Sequence, residues 1–209
     1  MTDAPSNNLP PVAAGIVQRA KDILFKPKET WPVIAAEPAT TQSIYIPYVL
    51  LLAAIGPIAQ FIGGQVFGIT VFSVTYHPPL MGALVSAVLG YGLALVTVFL
   101  LALVIDALAP NFGGQKDQIQ ALKVAAYSGT AGWVAGIFGL IPALSLIGAL
   151  IGLYGLYLLY LGLPVLMKVP QDKALGYTVV VVIVAIVLFV IAGMVVGALA
   201  APSLLTIRG

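Results

Sequence analysis

An all-α, polytopic membrane protein with five transmembrane helices is the fold class this sequence predicts, and three observations carry it. The 209 residues are 61% hydrophobic and 8% charged, against about 25% charged in a typical globular domain. No Lys, Arg, Asp or Glu occurs between Pro38 and Ile105, and no soluble domain of that length can solvate its surface without charge. The apolar residues fall in runs of bilayer length, about 20 residues each, without the two-residue alternation of a transmembrane barrel.

The elements follow in chain order. Residues 1–11, MTDAPSNNLPP, are polar and do not read as a secretory leader. Val12 to Phe25 predicts a short N-terminal amphipathic helix. Pro10 and Pro11 suit its start. Val12, Ile16, Val17, Ala20, Ile23 and Leu24 share one broad face, and Gln18, Arg19, Lys21 and Asp22 lie off it. A basic amphipathic helix beside a membrane lies in the interface or docks on the bundle. Residues 1–40 are thus expected as a cytoplasmic segment and 41–209 as the transmembrane domain. The expected spans are 44–62, 80–109, 124–141, 143–167 and 177–200. The second is long enough to tilt. The third is the weakest, being rich in Gly, Ala, Ser and Thr; without it the count falls to four.

Orientation follows from the lysines and arginines, which favour the cytoplasmic side. Arg19, Lys21, Lys26 and Lys28 precede the first span, Lys116 and Lys123 sit in the second loop, and Lys168 and Lys173 sit in the fourth. Only Arg208 follows the last span. With five spans and the N-terminus inside, eight basic residues lie inside and one outside. The C-terminus is then on the opposite side. Deleting the third span would send Lys168 and Lys173 outside, so the charge pattern argues for five. The net charge of +2 comes without a basic cluster among aromatics, so no nucleic-acid partner is expected. The absence of cysteine excludes disulfides and thiolate chemistry.

The glycines are patterned. Gly129, Gly132, Gly136 and Gly139 fall within about 80° on a helical wheel, and so do Gly148, Gly152, Gly155 and Gly162. Membrane helices associate by close backbone approach at small residues, because apolar side chains gain little by leaving lipid. The short GLIPALS connector makes the third and fourth spans an antiparallel hairpin turning near Pro142. Gly136 with Gly148, Gly132 with Gly152, and Gly129 with Gly155 are each symmetric about residue 142, so each pair is level. Gly129, Gly132, Gly136, Gly148, Gly152 and Gly155 are therefore the expected helix-packing residues.

Residues that could carry chemistry are few. His77 is the single histidine, in the outer-loop sequence YHPP, and metal sites recruit several ligands. Ser128 has no histidine within any span to act as its base. Asp106 is the one ionisable residue inside a span, three residues before its cytoplasmic end, where it reaches water or Lys116 or Lys123. Its expected role is structural. No cofactor and no metal are expected. Tyr154, Tyr157 and Tyr160 recur every third residue, and Tyr127 lies in the third span. Tyr127, Tyr154 and Tyr157 are the candidate groove residues; buried hydroxyls need partners, so they either line a polar groove or bond neighbouring backbone.

Three stretches, ILFKPKETWPVIAAEPAT with its Pro27-to-Trp31 lead, AAYSGTAGWVAGIFGLIPAL, and LYGLYLLYLGLPVLMKVPQDKALGYTVVVVIVAIV, resemble the bacterial branch of the Yip (Ypt-interacting protein) membrane domain family. The resemblance spans nearly all of 15–200. It implies a five-span domain with a cytoplasmic N-terminus in the bacterial inner membrane. Eukaryotic relatives are associated with Rab-type GTPases, but their Asp-Leu-Tyr-Gly-Pro motif is absent; GLYGLY at Gly152–Tyr157 lacks both the Asp and the Pro. GTPase binding is therefore not carried over. The expected function is a non-enzymatic membrane protein that binds or organises membrane partners: lipids, and other membrane or peripheral proteins. The alternative is a passive transporter or lipid-handling protein, and an intramembrane enzyme ranks third.

Overall fold

A computed structural model describes the backbone of residues 11–71 and 74–205 and the side chains of 15–69 and 75–200. Arg208, the polar residues 1–10 and the Val12 side chain lie outside the described residues. The described residues are all-α apart from one small hairpin.

Two short helices precede the bundle. Helix α1 spans Pro11–Phe25, and α2 spans Pro27–Ala36 with a proline in its first turn. Ile16, Ala20 and Ile23 of α1 are buried, as are Thr30, Trp31 and Ile34 of α2. The periodicity pointed to α1; α2, split from it at Lys26, was not foreseen.

Among the described residues, four helices are long and apolar enough to cross a membrane: α3 (Thr41–Val66), α4 (Leu80–Leu108, continued as a 3-10 turn to Phe112), α7 (Pro142–Leu166) and the long α8 (Gln171–Leu205). Thr40 caps α3, accepting from the Ser43 amide while the Ser43 hydroxyl accepts from the Thr40 amide. Pro47 lies in a π-helical turn, Tyr45–Val49, which accommodates its missing N–H. Strands β1 (Ile69–Val71) and β2 (Val74–Tyr76) form an antiparallel hairpin between α3 and α4.

The expected third span at 124–141 is not among those four helices. The chain there is helical but broken: α5 (Gln118–Ser128), α6 (Thr130–Ala135) and a 3-10 stretch Gly136–Leu140. The cause is compositional, because glycine weakens helices and four fall between 129 and 139. Yet α5 is the most enclosed element, with Ala121–Ala126 and Ser128 all buried. It packs between α4 and α7, and α8 packs on α4.

The two ends of the bundle differ. At one end the Gln115 amide donates to the Met167 carbonyl, joining the second and fourth loops beside α1 and α2. That end holds the dense core around Trp31, Ile105, Leu122 and Leu158. The hairpin end, near Ile69 and Pro142, is looser and contains two cavities.

Candidate functional site

The dense end is built around α2. Its last carbonyls have no intrahelical partner, as at any helix C-terminus. Here α5 supplies the donors. The buried Lys123 ammonium donates to the carbonyls of Ile34 (2.8 Å) and Glu37 (2.6 Å), and the Gln120 amide donates to Ala35 (3.0 Å). Asp117 caps the start of α5 by accepting from the Gln120 amide N–H. A cation at a helix C-terminus is also favoured by the helix dipole. Arg19 of α1 pairs with the Glu37 carboxylate, so all three elements meet at one point.

Trp31 anchors this layer from within. Its side chain is fully buried, edge-on to the Tyr127 ring at 6.5 Å, and Tyr127 in turn packs on Tyr48 at 4.7 Å. Gly162 provides the seat: a Cβ there would come within 2.7 Å of the indole Cζ2. The indole N–H has no partner among the described residues.

The candidate tyrosines are packing groups. The Tyr154 hydroxyl donates to the Leu24 carbonyl of α1 at 2.9 Å, and Tyr157 leans on the Tyr154 ring at 5.4 Å with 41% exposure. Neither cavity at the hairpin end is lined by Tyr127, Tyr154 or Tyr157; of the two roles open to them, bonding neighbouring backbone is the one Tyr154 takes.

The glycines divide between two neighbours. A Cβ on Gly152 would lie 3.7 Å from the Gly132 Cα. Gly148 abuts the Ala135 carbonyl, and Gly155 abuts the Ser128 carbonyl. Gly129 faces the Trp133 ring, not Gly155. Gly136 faces Gly56 of α3 instead of Gly148, and Gly139 faces Gln60. Level pairing therefore describes Gly132 with Gly152 and fails for the other two pairs. The reason is the change of helix type: a 3-10 helix turns about 120° per residue instead of about 100°, which swings Gly136 and Gly139 towards α3. Gly63 completes that contact, with a Cβ position 2.7 Å from the Leu140 carbonyl oxygen and closer still to that of Gly139. Gly56 and Gly63 escaped the sequence reading because a seven-residue spacing is not a Gly-x-x-x-Gly match.

Asp106 pairs with neither Lys116 nor Lys123. Lys123 is committed to α2, and Asp106 Oδ1 is buried without a partner among the described residues. His77 is exposed in the hairpin-end loop. Among the described residues no three His, Cys, Asp or Glu side chains gather where a metal ion could sit.

The cavities have volumes of about 480 and 730 Å³. The smaller lies between α3, the 3-10 stretch and α7. The larger lies between α3 and α8, with α4 as its floor. Gln60, Gly64 and Ile69 border both.

The Yip1 domain model matches residues 21–192. The chain belongs to the Yip1 domain family. It is 30% identical over 160 residues to the inner membrane protein YohC of Escherichia coli K12, covering 73% of this chain and 80% of that one. The YohC protein of E. coli O6:H1 matches to the same extent. No solved structure matches. The matched Yip1 region begins inside α1 and takes in α2, Gln120, Lys123, the smaller cavity and most of the lining of the larger one. With its long apolar helices, the chain is a multi-pass membrane protein.

Proposed function

We propose that the protein is a non-enzymatic organiser of membrane partners that works through a rigid N-terminal platform at the cytoplasmic end of a five-pass bundle. The observation that carries this is the clamp: Lys123 and Gln120 fix the end of α2, and Arg19 ties α1 to the same point. An ordered surface held in this way is a docking element rather than a lead-in. The platform exposes Val17, Phe25 and Val33 beside exposed Lys21, Lys26 and Lys28. Apolar and basic side chains together suit the membrane interface.

Five crossings are part of the proposal. In their support, the segment 118–140 leaves the end that holds the Gln115–Met167 contact and reaches the end that holds Ile69 and Pro142. Its modest hydropathy is tolerable because neighbouring helices, not lipid, surround most of it. The eight-to-one division of basic residues then sets the N-terminus inside. The YohC relatives are named as inner membrane proteins, and the same location is proposed here.

A photo-crosslinking residue at Phe25 or Val33, used in native membranes, tests the platform. Both positions should yield the same discrete protein adduct, and Lys123→Met should abolish it. Ile183, exposed on α8, should yield lipid adducts alone. Absence of any protein adduct at both platform positions rejects the reading. The second reading, lipid handling, draws on the larger cavity.

A further inference from the structure

The hairpin-end cavity between α3, α4 and α8 has features that no partner-organising role requires. Helices α3 and α8 both pack on α4, and the cavity occupies the gap they leave, bordered by Pro57 and Phe61 on one side and Phe189 and Val196 on the other. Its opening therefore faces sideways, where lipid surrounds a multi-pass protein. Its volume of about 730 Å³ falls within the range of about 300–1,000 Å³ typical of small-ligand sites.

Length and charge narrow the occupant. The lining on α4 runs from Gly82 to Thr97, about 22 Å at 1.5 Å per residue. One leaflet's hydrocarbon is about 15 Å deep, half of a core of about 30 Å. The cavity therefore extends from the bundle end through one leaflet's depth of acyl chain. No Lys, Arg, Asp or Glu lines it. Its polar groups sit chiefly towards the hairpin: Tyr76, Ser86 and Gln60, whose amide has no hydrogen-bond partner among the described residues. Deeper, Leu93 and Ala94 present apolar surface, with the Thr97 hydroxyl as the polar group below them. A mouth richer in polar groups than the depth below it is the profile of an ester-linked chain seen from its headgroup end.

We infer that this cavity is a binding cleft for one acyl chain of a phospholipid from the leaflet at the hairpin end, with Gln60 donating to the ester carbonyl. The cleft is blind. The dense core around Ile105 and Leu122 closes the bundle below it, so it holds a chain rather than conducting one. It reads the chain and not the headgroup, since no cation stands at its mouth. The inference is independent of the platform reading: the site is at the other end, and either can fail alone.

Two lining glycines make the test clean. A Cβ on Gly90 or Gly193 would meet nothing within 4 Å, so a leucine at either position starts into the cleft with no backbone against its Cβ. The wild-type protein and the Gly90→Leu, Gly193→Leu and Gly92→Leu variants are placed in nanodiscs with phosphatidylethanolamine bearing a diazirine at mid-chain. Gly92 also has open space around it and does not line the cleft. After photolysis, adducts are mapped by mass spectrometry. In wild type, Ala87, Ala94 and Ala192 should carry about tenfold more adduct than annular Leu150 and Ile183. Each filling variant should lower the cleft adducts about tenfold, the equivalent of excluding about two methylenes, and Gly92→Leu should not. Phosphatidylglycerol carrying the same diazirine should label the cleft equally. Cleft labelling no denser than annular labelling in wild type overturns the inference without needing any variant. So does labelling that the filling variants leave unchanged, and a strong preference for phosphatidylglycerol overturns the chain-reading claim.

Discussion

Gly63→Ala should separate α3 from the broken segment behind it. A Cβ at this position would stand 2.7 Å from the Leu140 carbonyl oxygen and 2.9 Å from its carbon, with the Gly139 carbonyl oxygen nearer still. Carbon–oxygen contacts between backbones settle at about 3.3–3.6 Å, so one backbone must retreat by roughly 1 Å from the Gly139 carbonyl. Neither side yields by a rotamer change, because every obstructing atom is main chain. Overpacking costs about 1–3 kcal/mol, and backbone obstruction puts this site near the top of that span. Alanine returns about 1 kcal/mol of helix propensity, leaving a net loss of about 2 kcal/mol. Gly92→Ala, where a Cβ meets nothing within 4 Å, keeps the propensity gain alone and should be neutral or slightly stabilising. Steric trapping of both variants in bicelles gives the two free energies directly. If Gly63→Ala is as stable as Gly92→Ala, the α3 contact is not the close backbone packing described here.

Other consequences follow from the dense end. Gly162→Ala should destabilise through the indole Cζ2, Cε2 and Cη2 atoms that a Cβ would strike; Trp31→Phe deletes those atoms, so the double variant should recover much of the loss, and a double-mutant cycle showing additive effects would contradict the contact. Trp31→Ala should cost about 3–5 kcal/mol as a large buried truncation, whereas Trp31→Phe should cost clearly less because the indole N–H has no partner among the described residues, read by the same steric trapping. Lys123→Met leaves the Ile34 and Glu37 carbonyls without this donor, a loss of about 1–3 kcal/mol, and should raise hydrogen exchange at the end of α2; unchanged exchange there speaks against the clamp.

The sequence made the membrane class and four of the helices legible because those properties are carried by composition and length. Val12 to Phe25 was legible as a helix because its period is local. What escaped depends on contacts between distant segments. Lys123 reads as one more inside-positive charge until α2 folds over it. Gly56 and Gly63 look like isolated glycines until the 3-10 stretch presents its carbonyls to them. The hairpin at Ile69–Tyr76 was passed over as an outer loop, although its ITV and VTY runs are rich in β-branched residues. Tyr127, Tyr154 and Tyr157 suggested a groove because polarity in a span suggests function, whereas Tyr154 instead secures α1. The cleft itself has no residue signature; it arises from the gap between α3 and α8.

The account turns on whether the broken segment 118–140 crosses the membrane, because that crossing puts the platform and all the basic loops on one side. The chain has no cysteine, so single cysteines report cleanly. Gln171 is exposed in the fourth loop, and His77 is exposed by the hairpin. With an impermeant thiol reagent on intact cells, His77→Cys should label from outside, and Gln171→Cys should label only after permeabilisation, as should Gln115→Cys. Labelling of Gln171→Cys from outside, with Gln115→Cys protected, would mean four crossings and a platform divided from its own supporting loop.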